Sequence, residues 1–374
     1  MSSESSSASR VRGTVTGPGA AGGAAWFAGI EARDPVECID LRREAHRLDG
    51  GGFWAVVGDF DGTVRAWRFA QVVRGPSVPP GRPRPWSGPP IGGWRSSIGR
   101  EEYCAAVATI RERIRAGEVY QVNLCRVLEA ELPAVAGAEP DAQALAAVLA
   151  AGNPAPWSGG VHVPEGGDLA RTWVVTASPE LFLRLEAGVV TSGPIKGTAP
   201  TAAGLTDKDR AENVMIADMV RNDLQRVSRP GSVEVTALLA LEQHPGLVHL
   251  VTTVQGDLLD GRADWAAILD ASYPPASVSG APKAAALGVI SELEPVARGP
   301  YCGAVGWIDA DEGRAELAVG IRTFWWTPES GGLLRFGTGA GITWGSDPAG
   351  EWAETELKAR HLVGLASRGG APSG

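Results

Sequence analysis

Lysine is scarce in this sequence. Of 34 basic residues only Lys196, Lys208, Lys283 and Lys358 are not arginine, so a surviving lysine marks a place where a compact, deprotonatable ammonium can do what a guanidinium cannot. Chance retention explains any single lysine equally well, and explains less well those that fall inside motifs. The four cysteines (Cys38, Cys104, Cys125, Cys302) lie far apart, with no CxxC pair and no Cys/His metal spacing. That excludes a disulfide framework or zinc module and leaves reduced structural thiols. No apolar stretch reaches the roughly 18 residues of a membrane-spanning helix. No run of Lys or Arg exists, and 43 acidic groups outnumber the basic ones to give net charge -9. A nucleic-acid or anionic-membrane surface is thereby disfavoured, and an anionic ligand would need local cations or a metal. There is no nucleophile elbow, no GxGxxG and no P-loop, so a triad hydrolase and a nucleotide fingerprint find no support.

What is present is a chain of 374 residues, 44% apolar, long enough for one large or two ordinary domains. Six serines among residues 2–9, without the basic and apolar regions of a secretory signal, predict a disordered tail over 1–24 and a cytoplasmic protein. Residues 25–73 carry short strand-like runs broken by a hairpin signal at Asp61-Gly62. Residues 74–93 hold seven Pro and five Gly, which predicts an exposed loop, taken here as 74–99. Tyr103, Val107, Ile110 and Ile114 recur at helical spacing up to Gly117. From Val119 to Leu132, Tyr120, Val122, Leu124, Leu128 and Leu132 alternate with Gln121, Asn123, Glu129 and Glu131, the pattern of a strand buried on one side. A helix is predicted over 141–151, and strands over 172–177, 181–186 and 189–194. A helix over 206–227 opens with a Thr206/Asp209 capping box. Strands follow near 233 and 249 and over 301–308, 314–322 and 333–338. A last helix begins at Asp347-Pro348 and runs to about 366, with a tail over 367–374. The mixture predicts an α+β fold with antiparallel sheets.

Two constellations carry chemistry. If strands 181–186 and 189–194 turn at Ala187-Gly188, the register sets Glu180 beside Ile195 or Lys196. A Lys facing a carboxylate is a surface ion pair worth roughly 0–1 kcal/mol, or, in a cleft, a nucleophilic amine beside a proton donor. The Pro and Gly framing of both residues favours the cleft. The second constellation is Asp209 with Glu212 and Glu351 with Glu354, each spaced i, i+3, with Lys358 a turn beyond. Carboxylates from two helices suit Mg²⁺, whereas each pair alone suits a solvated helix face. On the residues alone His249, in VHLVTTV, is a core histidine, and Lys196 with Glu180 also fits a Schiff-base lyase.

Read in order, YQVNL (120–124), SPE (178–180), PIKGT (194–198), DRAEN (209–213), RND (221–223), VSGAPK (278–283), YCGAVG (301–306), IRT (321–323), GAGI (339–342) and SDPxxEWxET (346–355) resemble the chorismate-utilising enzymes over about residues 100–366. The resemblance implies two antiparallel β-sheets stacked face to face with helices outside, the anthranilate-synthase component I-like fold, with the N-terminal part joined to the same body. Members that add water to chorismate carry a Lys where this strand has Gln121, which implies amination instead. PIKGT resembles the aminodeoxychorismate synthase component I branch, because anthranilate and isochorismate synthases usually have Ala in place of Lys196.

That branch implies amination of chorismate at C4 to 4-amino-4-deoxychorismate, a step toward 4-aminobenzoate and folate. Lys196 attacks C2, Glu180 protonates the departing hydroxyl, and His249 lies near the ring. Mg²⁺ is implied at Glu212 and Glu354, supported by Asp209 and Glu351. Gln121, Thr198, Tyr301, Arg322, Thr323, Gly339, Gly341, Ile342 and Lys358 are the implied substrate-binding set. Asp218, Arg221, Asn222 and Asp223 are expected to form a buried polar network behind the Glu212 helix. With no glutaminase nucleophile in the chain, a separate glutamine amidotransferase subunit is expected to supply ammonia, and no lyase domain is expected. The rivals are an anthranilate synthase component I and a non-catalytic partner subunit.

Overall fold

The computed structural model describes residues 22–75, 85–199, 201–244 and 247–367. The two expected tails, residues 22–24 and 367 apart, and the middle of the Pro/Gly-rich loop lie outside these residues. The first leaf of the sheet is built from β2 (Ile30–Asp40), β3 (Phe53–Gly58), β4 (Val64–Arg74), β9 (Leu181–Glu186), β10 (Val189–Gly193), β11 (Ile195–Ala199), β12 (Glu234–His244), β13 (Leu247–Asp257), β15 (Ala304–Asp309) and β16 (Arg314–Val319). The second contains β1 (Ala24–Phe27), β5 (Arg95–Ser96), β6 (Gln121–Glu131), β7 (Trp157–Val163), β8 (Thr172–Ser178), β14 (Gly280–Ala281), β17 (Thr323–Thr327) and β18 (Leu333–Ile342). Every pairing is antiparallel. The first leaf runs β13-β10-β9-β16-β15-β3-β4-β2, with β11 and β12 against β13. The second runs β1-β7-β8-β17-β18-β6, with β5 and β14 against β6. The β1–β2 hairpin joins the leaves into one curled sheet.

Apolar residues of both leaves meet between them. Val57, Trp67 and Val305 of the first share a core with Val127, Val161, Val174 and Trp325 of the second. Among the described residues six α-helices cover the outer faces: α1 (Arg100–Arg115), α2 (Ala142–Gly152), α3 (Asp207–Gln225), α4 (Trp265–Ser272), α5 (Lys283–Leu293) and α6 (Pro348–Ala366). α3 and α4 lie on the first leaf through Ile216, Val220, Leu224, Trp265 and Ile268. α2 and α6 lie on the second through Leu145, Leu149, Leu362 and Val363, and α1 and α5 cover the β6–β18 end through Tyr103, Val107, Val289 and Ile290.

Two expectations fail here for lack of partners visible in sequence. β6 is buried on both faces, Gln121, Asn123 and Arg126 being 1%, 7% and 3% exposed, while Tyr120 stands in solvent just before it. Helices occupy one side and the facing leaf the other, so alternation in polarity does not mean alternation in exposure. The Pro/Gly-rich loop is not wholly exposed either: Trp86 is buried and its indole N–H donates to Ala366 O at 2.7 Å.

Candidate active site

The hairpin from β9 to β10 turns at Ala187 and Gly188, both at positive φ (51° and 77°), and pairs Glu186 with Val189 and Leu185 with Val190, as the expected register requires. The ladder then shifts between Thr191 and Gly193. β11 departs to pair with β13, Ile195 opposite Val251 and Thr198 opposite His249. This swerve carries Lys196 past the end of β9, where Glu180 stands just before the strand. Gly197 sits at φ 88°, and a Cβ there would stand 2.8 Å from Asp209 Cβ, so only glycine lets the strand graze α3. Asn213 of α3 holds the other side, its amide donating to Leu250 O at 2.8 Å and to Lys196 O at 3.5 Å.

Glu180 is 3% exposed, and its Oε1 has no hydrogen-bond partner among the described residues. Burial pushes its carboxyl up to about 7, against the pull of Ser277, the Lys196 ammonium and the Ile195 backbone. An orphaned buried oxygen costs on the order of 1–3 kcal/mol, which marks this carboxyl as one held ready for a partner that is not protein. Burial pushes the Lys196 ammonium down; Glu212 and Glu180 oppose that shift and Lys358 assists it. An acid poised near neutrality and an amine biased toward its free base thus lie within electrostatic reach of one another.

The acids of α3 and α6 converge. The α3 capping box forms as expected, with Asp209 Oδ2 accepting from Thr206 N at 2.8 Å and Thr206 Oγ1 at 2.7 Å. Asp347 caps α6 by accepting from Gly350 N at 2.8 Å. Between the helices, Lys208 Nζ lies 3.7 Å from both Glu212 Oε1 and Glu351 Oε1. Burial pushes Glu212 up, Lys196 and Lys208 pull it down, and Asp209 and Glu351 push it up further. Glu354 is engaged by Lys358 at 2.6 Å, and Lys358 also donates to Gly339 O at 3.1 Å. Among the described residues no three His, Cys, Asp or Glu side chains form a ready metal cluster. Glu212 and Glu351 do present two hard carboxylates to a single cation, here an ammonium, which fits a Mg²⁺ that takes its other ligands from water and substrate. Asp209 also caps its helix through Oδ2, and Glu354 also pairs with Lys358 through Oε1.

The remaining expected residues divide. Gln121 is buried with Oε1 unpartnered among the described residues. A Cβ on Gly341 would lie 2.5 Å from Gln121 Nε2 and 3.9 Å from Glu212 Oε2, which places both beside the acids. Arg322 is half-buried at φ 53°, and burial alone lowers its pKa; no described residue pairs with its guanidinium. It borders the Glu180 turn, since Arg322 O accepts from Ala177 N and Glu180 O from Val319 N, both at 3.0 Å. His249 is 2% exposed on β13.

Others are turned to structural use. Thr323 Oγ1 is bonded to Thr176 Oγ1 at 2.8 Å and to Ile321 O at 3.1 Å. Ile342 packs among Val122, Tyr103 and Ala286. The Tyr301 ring lies over Gly337, where a Cβ would come within 2.0 Å of it, and the phenol faces Cys125. The expected buried network on α3 reduces to Asp223. Asp218 and Arg221 form an exposed pair at 2.9 Å and Asn222 is exposed, because the buried stripe of α3 is Ile216, Ala217, Val220, Asp223 and Leu224. Asn213, Ser277 and Lys208 were missed as site residues; the scarcity of lysine was the one signal that pointed at Lys208.

The model of the family described as chorismate binding enzyme matches residues 66–364. The chain belongs to this family. An anthranilate synthase component 1 from Streptomyces coelicolor is 36% identical over 321 residues, 81% of this chain and 60% of that protein. An aminodeoxychorismate synthase component 1 from Klebsiella aerogenes is 35% identical over 283 residues, 72% of this chain and 59% of that protein. The chain therefore spans about 60% of the length of these curated relatives. In fold it resembles the solved anthranilate synthase component I of Streptococcus pneumoniae, TM-score 0.70 at 23% identity over 95% of both chains. It also resembles the menaquinone-specific isochorismate synthase of Escherichia coli, TM-score 0.71 at 19% identity over 93% of this chain and 88% of that one. The sequence resemblance and the family match agree. No helix among the described residues is long and apolar enough to cross a membrane.

Proposed function

We propose that the chain aminates chorismate at C4, giving 4-amino-4-deoxychorismate through a covalent adduct on Lys196. The observation that carries this reading is the nearness of a half-buried amine, its ammonium destabilised by desolvation, to a buried carboxyl pushed up to about 7. Lys196 as free amine attacks C2, while Glu180 gives its proton to the C4 hydroxyl, which departs as water. Ammonia then bonds to C4 and Lys196 leaves as the amine. The two-step path replaces one difficult displacement by two easier ones. Arg322 and Lys358 supply the local positive charge that a dianionic substrate needs on a protein of net charge -9. Glu212 and Glu351 would hold Mg²⁺, which supplies a Lewis acid for a substrate carboxylate. Gln121 offers an amide where a water-activating base would be needed, so hydration is not supported.

An anthranilate synthase component 1 is the second reading, favoured by the relatives of that name, one of which is 36% identical to the chain against 35% for an aminodeoxychorismate synthase. Product identification from chorismate, Mg²⁺ and ammonium separates the two. The proposed reading expects aminodeoxychorismate, and anthranilate with pyruvate overturns it.

Two further outcomes are expected. Glu212→Gln and Glu351→Gln should each abolish turnover and weaken Mg²⁺ binding in calorimetry while the fold, read by circular dichroism, is kept; wild-type activity surviving excess EDTA contradicts the metal. The chain alone should use ammonium and not glutamine, gaining glutamine use when a glutamine amidotransferase subunit is added. Glutamate released from glutamine by the lone chain contradicts this.

A further inference from the structure

We propose that Asp223, paired with Lys283, relays protons from solvent to Glu180 through one buried water in a cavity that Lys196 does not line. The inference rests on the reading of Glu180 as the general acid. Glu180, Ser192, Asp223, Ser272 and Ser277 all line one cavity of about 20 Å³, and an ordered water needs roughly 10–15 Å³ and two to four polar partners. Glu180 Oε1 is the unpartnered buried atom there. Asp223 is 8% exposed. Its Oδ2 accepts from Lys283 Nζ at 2.8 Å, and Lys283 also donates to Ser272 O at 3.0 Å. The Lys283 side chain is 20% exposed, so the pair reaches from the cavity to the surface. Burial pushes the Asp223 carboxyl up, against the pull of Lys283, which makes brief protonation accessible. RND and VSGAPK, which supply Asp223 and Lys283, otherwise have no part in the chemistry.

The steps balance. Glu180 gives its proton to the leaving hydroxyl and becomes a carboxylate while substrate fills the cleft on the Lys196 side. The cavity water passes a proton to Glu180 Oε1 and takes one from Asp223, which is reprotonated from solvent. The ammonia bonded to C4 sheds one proton to solvent on becoming the amine, so none accumulates over a turnover.

The test measures steady-state kinetics of the full chain with chorismate, Mg²⁺ and ammonium in H₂O and D₂O, at several concentrations of a small buffer such as imidazole. Asp223→Asn is expected to lower kcat about tenfold or more at unchanged KM, to enlarge the solvent isotope effect, and to recover rate as buffer concentration rises. Asp223→Glu should restore part of kcat. Ser192→Val, which fills the cavity while leaving both carboxyls, is expected to show the same isotope and buffer responses. That variant keeps the test open if Asp223→Asn does not fold. Wild-type kcat in either variant, or a loss that ignores both isotope and buffer, overturns the relay. Activity retained in Glu180→Gln overturns the general acid itself, whatever Asp223 does.

Discussion

Lys196→Ala is expected to bind chorismate with near-normal affinity and to lose aminodeoxychorismate formation by more than the roughly 10²- to 10⁴-fold of a missing proton-transfer group. Calorimetry measures the first quantity and product chromatography the second. The asymmetry follows from the site. Arg322 and Lys358 remain to hold the anion, whereas the other two lysines beside the acids, Lys208 and Lys358, are held as ammonium partners of Glu212, Glu351 and Glu354. Lys196→Arg should be no better, because a guanidinium stays protonated where the lysine ammonium is destabilised by burial. Near-normal rates in Lys196→Ala would mean that ammonia attacks directly and that Lys196 acts only through its charge.

Glu180→Gln is expected to cost about 10²- to 10⁴-fold in kcat/KM. Its pH profile is the more specific readout. The donor form of Glu180 exists below its pKa of about 7, so the slope of log kcat/KM against pH should decrease by one as pH rises through that value, and this break should vanish in the Gln variant. The amine of Lys196 must be free, so the fall toward acid should persist. An unchanged break near pH 7 in Glu180→Gln would assign it to another group.

Much of the site was legible because its chemistry depends on local order. The Ala187-Gly188 turn, read from two residues, sets the hairpin register as far as Thr191, and the shift beyond it, with the departure of β11 to β13, brings Lys196 toward Glu180. The capping residues Thr206 and Asp347 start the helices that carry the acids. Whether those acids meet was not legible, since it depends on how α3 and α6 lie against different leaves of the sheet. The spacing of Asp209 and Glu354 could not say that one also caps its helix and the other also pairs with Lys358. The same limit hid the bulge after Thr191, β17 with its FWWT run, and the coverage of β6 on both faces. Tyr301 and Thr323 illustrate the remaining gap: a motif names a residue, while the Cys125 near the Tyr301 phenol and the Thr176 that bonds the Thr323 hydroxyl come from strands far away in sequence.

The central claim is a covalent bond to Lys196. Denaturing mass spectrometry of the wild-type chain, after incubation with chorismate and Mg²⁺ and without ammonia, tests it most directly. The account predicts a mass increase equal to chorismate less one water, mapped to the peptide holding Lys196, absent in Lys196→Ala and discharged on adding ammonium with release of aminodeoxychorismate. An unmodified chain under conditions where added ammonium gives product at the normal rate would contradict it.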